Sequence, residues 1–177
     1  LVIPQEVTPS YLFLSLIYRK DIFDINKLQK LFAPYGFASV FFSPFNPSLN
    51  YYSKEMGNEN LLQRCFFFYE QNFAKEKIKE VKVEMMKIEN NHLIGEQRSL
   101  NIDPGVITFE NVLLTSSKNF SHRVYLGSDV YIQLEILFKE NGVEFLPWTY
   151  EDYKSKDKIE LFQHLRNKLK NNFIFEK

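Results

Sequence analysis

The sequence predicts an α+β domain: a β-α-β-β-α-β sheet of the ferredoxin-like plan, extended by a β-hairpin layer and a C-terminal helix. Three observations lead there. Two strand-length runs, YLFLSLIY (11–18) and RCFFFYE (64–70), are apolar at successive rather than alternate positions, the pattern of strands buried on both faces. Helix-period segments fall between the strand runs in the order that plan requires. The two doubly apolar runs are also its first and third strands, which the plan sets at the centre of the sheet.

The elements follow in order. After the first strand, Asp24 can cap a helix over 25–33 whose apolar residues are Ile25, Leu28, Leu31 and Phe32. Pro34 and Gly36 end it. FASVFFSPF (37–45) is a second strand closed by Pro44, and the Asn- and Ser-rich segment 46–60 reads as a long loop. The third strand precedes a helix over 74–90 with Ile78, Val81, Met85 and Ile88 as its buried stripe. The charged residues between them, Lys75 to Lys82, read as a solvated face. A fourth strand, 98–102, runs into Asp103-Pro104-Gly105, a turn tripeptide. In this plan the second and fourth strands are edges. Two helices cover one face of a four-stranded sheet, so the remaining chain has to cover the other.

That remainder begins with 106–117. Its β-branched content fits a strand, while Phe109, Val112 and Leu113 behind Thr108 fit a short capped helix, and helix is the expectation adopted. A hairpin follows, 123–126 and 130–138 around Gly127-Ser128-Asp129. Asn141-Gly142 then signals a type I′ turn that returns the chain through 143–148. A last helix, 158–170, is capped by Ser155 or Asp157 and carries Ile159, Phe162, Leu165 and Leu169 on one face. No boundary separates these pieces. Residues 1–177 are expected to form one domain, with 10–105 as the ferredoxin-like half and 106–177 as the hairpin layer and helix.

Composition narrows the class. Of 177 residues, 18 are Phe and 10 are Tyr, enough aromatic surface for a strong core. Lys and Arg number 22 against 22 Asp and Glu, so no excess of positive charge favours nucleic acid. Cys65 is the only cysteine, which excludes an intrachain disulfide and a thiolate-rich metal site. It lies among phenylalanines and is expected to be a buried, inert thiol. The chain opens Leu1-Val2-Ile3-Pro4 without a methionine, and no charged stretch precedes a long apolar run, so no signal peptide is expected. Apolar runs fall well short of a membrane span. A cytoplasmic, membrane-free protein is the resulting expectation.

Pairing Leu126 with Val130 and Val124 with Ile132 keeps one hairpin face apolar. It gathers Arg123, Tyr125, Tyr131, Gln133 and Glu135 on the other, with Glu135 facing Trp148. Such a mixture of charge, amide and rings suits a binding surface.

Five segments then carry a resemblance: YYSKEMG (51–57), NIDPG (101–105), KNFSHRVYL (118–126), VYIQLEI (130–136) and PWTYEDY (147–153). In combination they resemble an uncharacterised bacterial domain-of-unknown-function family over nearly the whole chain. The resemblance implies no established activity. Some members carry a GTP-binding label, but G-x-x-x-x-G-K-[ST] is absent here and the few glycines are scattered.

The chemistry of individual residues ranks what remains. His92, His122 and His164 form no H-x-H or H-x-x-x-H pair, so no metal and no cofactor are expected. Ser116, Ser117 and Ser121 near His122 lack the glycine pattern of a nucleophile elbow. Lys118, His122 and Arg123 can hold an anion while Asp103 or Glu135 moves a proton. The leading expectation is therefore a small anionic, nucleotide-like ligand at the Asp-Pro-Gly turn and the hairpin face. Lys118, Arg123, Tyr125, Tyr131, Glu135, Tyr52 and Glu55 would bind it, and Asp103 and His122 would be the catalytic pair if the protein is an enzyme. The alternative is a non-catalytic interaction module whose aromatic hairpin face binds a partner protein or a second copy. RNA binding ranks last, since the third strand lacks the early glycine of an RNA-recognition motif.

Overall fold

The computed structural model describes residues 7–44 and 51–175. Among these the fold is α+β, an eight-stranded sheet with four helices and a separate two-stranded ribbon. The elements are β1 (Tyr11–Arg19), α1 (Ile25–Leu31), β2 (Ser39–Ser43), α2 (Tyr51–Met56), β3 (Leu62–Asn72) and α3 (Ile78–Asn91). The ribbon β4 (Leu93–Ile94) and β5 (Gln97–Arg98) follows, then β6 (Leu100–Ile107), β7 (Asn111–Ser116), β8 (Val124–Gly127), β9 (Val130–Lys139), β10 (Gly142–Phe145) and α4 (Lys156–Phe175). The strand order is β10-β9-β7-β6-β1-β3-β2, with β8 also on β9, and the pairings are antiparallel.

The doubly apolar strands are interior. Leu12, Leu14, Leu16 and Tyr18 of β1 and Cys65, Phe67 and Tyr69 of β3 pack on one face with Leu28 of α1 and Ile78, Val81 and Met85 of α3. The opposite side chains, Phe13, Phe66 and Phe68, pack beneath Tyr153 and Phe162, Leu165 and Leu169 of α4. The second cover that the pattern demanded is thus α4. Local signals also hold at α1, where Lys27 N donates to the Asp24 carboxylate at 2.8 Å. Cys65 is fully buried and its thiol is pushed up to about 12 by desolvation.

Several expectations need correction. Asp103-Pro104-Gly105 is not a turn but the middle of β6, facing Ser15, Leu14 and Phe13 of β1. Glycine is required there for packing: a Cβ at Gly105 would lie 2.3 Å from the Phe13 ring and 2.5 Å from the Leu113 carbonyl. Proline is tolerated because of strand alternation. Ile102 turns its backbone N–H and C=O away from β1, toward Glu89 and Lys82, and Pro104 has the same parity. Pairing of β6 with β7 begins only at Gly105 opposite Leu114, so the missing N–H of Pro104 faces a seam with no strand to receive it. The Pro104 carbonyl there accepts from Thr115 Oγ1 at 2.6 Å.

Residues 106–117 are strand, not helix. The predicted cap Thr108 does accept from the N–H groups of Glu110 and Asn111, but it closes a β-turn. The fourth strand is consequently not an edge, and the hairpin does not form a second layer: β7, β9, β8 and β10 extend the same sheet.

Smaller departures have local causes. The segment read as a loop holds α2, anchored by the buried Met56; residues 45–50, including the end of the expected second strand, lie outside the described residues. The first hairpin turns on Ser128 and Asp129, both with positive φ, and a bulge places Gly127 rather than Leu126 opposite Val130. Val124 does pair with Ile132. Gly142 pairs with Lys139, so that turn runs over Glu140 and Asn141 rather than Asn141-Gly142. Among the described residues no helix is long and apolar enough to cross a membrane.

Candidate functional site

Beyond the Phe13–Phe162 packing, the face that α4 covers opens into a cavity of about 530 Å³, within the usual range for small-molecule sites. Ser15, Arg64, Asn101 and Asp103 form its floor. Ser116, Lys118, His122, Arg123 and Gln133 form one wall, Tyr52 and Arg98 the far end, and Trp148, Tyr150, Glu151 and Asp152 the roof. The floor exists because the seam between β6 and β7 leaves Asp103 paired with β1 but without a paired neighbour on its β7 side.

Side chains of α3 serve that seam in place of a strand. Glu89 accepts from Ile102 N at 2.5 Å, while Lys82 Nζ donates to the Ile102 carbonyl at 2.7 Å and to Asp103 at 2.8 Å. Lys82 is only 1% exposed, which corrects its assignment to a solvated face. It sits four residues after Ile78 and three before Met85, on the buried stripe. Asn101 Nδ2 donates to the other Asp103 oxygen at 2.9 Å. Burial alone would raise the Asp103 carboxyl, but the Lys82 charge and the hydrogen bonds from Lys82 and Asn101 outweigh it and hold it below its ordinary value.

Arg123 is the best-positioned cation. Its Nε donates to Gln133 Oε1 at 2.5 Å, its Nη1 to Ser116 Oγ at 2.8 Å and to the Lys118 carbonyl at 2.7 Å, and its Nη2 to Tyr150 Oη at 3.1 Å. All are neutral acceptors, and among the described residues no carboxylate lies within ion-pair distance of it. The guanidinium also lies 5.0 Å over the Phe120 ring. His122 stacks on Trp148 at 4.9 Å and reaches Gln133 Oε1 at 3.2 Å, and Trp148 Nε1 donates to the Leu134 carbonyl.

The expected residues divide. Asp103, Lys118, His122, Arg123 and Tyr52 line the cavity. Glu55 stands behind the rim, pairing with Lys118 at 2.7 Å and with Arg98. Glu135 lies beneath the wall, fully buried, accepting from Gln133 Nε2 and from Tyr150 N at 3.2 Å. Desolvation pushes its carboxyl up to about 7, against the hydrogen bonds it accepts. Tyr125 and Tyr131 pair with each other at 5.1 Å and do not line the cavity. They are cross-strand partners, Tyr125 on β8 and Tyr131 on β9.

Sequence reasoning missed Ser15, Arg64, Arg98 and Asp152. Arg64 is 7% exposed, pairs with Asp152 at 2.5 Å and donates to Ser15 Oγ at 3.0 Å. The signal was present: Ser15 is the hydroxyl inside YLFLSLIY, and Arg64 opens the otherwise apolar RCFFFYE. A polar group in a doubly buried strand needs partners. Among the described residues no cluster of three His, Cys, Asp or Glu is placed to hold a metal ion.

The chain belongs to the family described as a domain of unknown function (DUF4416), whose model matches residues 8–169. No curated protein and no solved structure matches it.

Proposed function

We propose that the cleft binds a small anionic, nucleotide-like ligand. The observation that carries this is Arg123, a charged group at a concave site, held by four neutral acceptors and by no carboxylate. An ionised guanidinium so placed is oriented without being neutralised, which favours an incoming carboxylate or phosphate. The rings of Phe120, Trp148 and Tyr150 along the same cavity suit a planar group. We read residues 10–105 as a ferredoxin-like unit within one domain, supported by the order β6-β1-β3-β2 and by α1 and α3 packing on one face.

For proton transfer, Asp103 is better suited to orient a hydrogen-bond donor than to deliver a proton, since it is held ionised. Glu135 exchanges its proton near neutrality and touches Gln133, which itself meets His122 and Arg123. The test is a thermal-shift panel of phosphate- and carboxylate-bearing metabolites. Members of the panel raise the melting temperature of the native protein, and Arg123→Ala abolishes the rise. A flat response across the panel refutes the proposal.

A second reading rests on the exposure of Val124 (64%), Tyr125 (57%) and Phe120 (57%) beside the cleft. This small apolar edge suits a protein partner or a second copy. The rings of β1 and β3 are covered on both faces, which argues against their stacking on RNA bases.

A further inference from the structure

We infer that the cleft takes an elongated dianion, one charged end on Arg123 and the other on Arg64, with a hydrogen-bond donor between them. This rests on reading the cleft as an anion site and specifies which anion fits it.

The geometry comes from strand register. Ser15 of β1 faces Asp103 of β6, and Gly105 of β6 faces Leu114 of β7. Ser116 lies two residues beyond Leu114, on the same face as Asp103 and near its level, and all three side chains line the cavity. Ser15 lies one strand spacing of about 4.8 Å from Asp103, and Ser116 lies across the wider unpaired seam on its other side, so the two serines mark the ends of a row with Asp103 between them. Each end holds an arginine. Arg64 Nη2 donates to Ser15 Oγ at 3.0 Å and Arg123 Nη1 donates to Ser116 Oγ at 2.8 Å. The row therefore reads cation, carboxylate, cation.

Charge balance points the same way. Below the Arg64 end, Lys158 is 1% exposed. Its Nζ donates to Ser43 Oγ at 2.6 Å and to the Asp152 carbonyl at 3.5 Å, and lies 5.1 Å from the Phe66 ring. Among the described residues no carboxylate pairs with it. Asp152 pairs with Arg64, while Asp157 and Asp103 act on these two cations only at longer range, so the buried Lys158 charge is only partly offset. The Arg123 end carries its own charge among neutral acceptors. An anion at each end offsets both. At the centre, Asp103 accepts from Lys82 and Asn101. A carboxylate offers about four lone-pair sites, so it can also accept from a ligand hydroxyl or amine. The class that fits is a chain with two carboxylates, two phosphates, or one of each, bearing a donor between them.

Isothermal titration at constant ionic strength tests this with straight-chain α,ω-dicarboxylates of four to eight carbons. Butyrate and inorganic phosphate serve as single-ended controls. One chain length is expected to bind at least about tenfold more tightly than butyrate. Arg64→Gln, and independently Ser15→Ala, cut that dianion to the affinity of the single-ended controls. Ser15→Ala removes one hydroxyl and carries the comparison if Arg64→Gln fails to fold. Dicarboxylates binding no better than butyrate while phosphate still binds overturn the dianion inference and leave the anion site standing. Absence of binding by every probe overturns both.

Discussion

Two rows of side chains on one sheet face have opposite fates. In the first, Phe13 lies between Phe68 of β3 and Gly105 of β6, and Phe162 of α4 seals it with ring contacts of 5.7 and 5.9 Å. In the next, Ser15 lies between Phe66 and Asp103, and the face opens into the cleft. The strands are the same and one pleat separates the rows. What differs is the cover. Tyr153 stacks on Phe162 at 5.7 Å and meets Phe66 at 5.6 Å, ending the aromatic seal where the polar row begins. The sheet supplies both surfaces, and the placement of α4 and the segment before it decides which becomes core and which becomes site.

The comparison can be broken from either side. The largest effect is expected from Phe162→Ala, which leaves a cavity over the sealed row. Urea unfolding should show a loss of about 4 kcal/mol, with the thermal response to anions retained. Loss of that response in a still-folded variant would show that the two rows are not independent.

Next is the pH dependence contributed by the open end. The Glu135 carboxyl is raised in the folded state to about 7 from an ordinary value of 4.5. Its contribution is therefore fully present below the unfolded value and is lost as pH rises through about 7. Wild-type stability should carry a decline of about 3 kcal/mol across this window from Glu135, and Glu135→Gln should remove that decline. Matching pH profiles for the two proteins would refute the assignment.

The smallest effect sharpens the boundary between the rows. Gly105→Ala sets a methyl against the Phe13 ring and the Leu113 carbonyl, and an overpacking cost of about 2 kcal/mol is expected by chemical denaturation. A neutral result would mean that the strand shifts to make room there.

Much of this contrast was legible in the sequence. Unbroken apolar runs marked β1 and β3 as interior, and their double-sidedness demanded a second cover. The Asp24 cap and the stripe of α3 followed from spacing alone. Legibility failed where tertiary context overrode local chemistry. Pro104 and Gly105 look like a turn because those residue types usually make one; here one faces a seam and the other lies under a ring. Thr108 looked like a helix cap because its hydroxyl accepts the same bonds in either setting. Lys82 reads as a surface charge by residue type, whereas its position on the stripe marks it as buried. Of the site, the cluster from Lys118 to Arg123 was found. Arg64 and Ser15 are hidden in the sequence by the apolar runs around them, where each is a polar exception that needs a buried partner.

The seam beside Ile102 has a consequence for how this fold can change. Where strand meets strand, geometry is held by a continuous ladder and cannot be edited one position at a time. Here two side chains of a helix, Lys82 and Glu89, stand in for that ladder. Point substitutions on α3 can therefore retune the width and charge of the opening while every strand keeps its register.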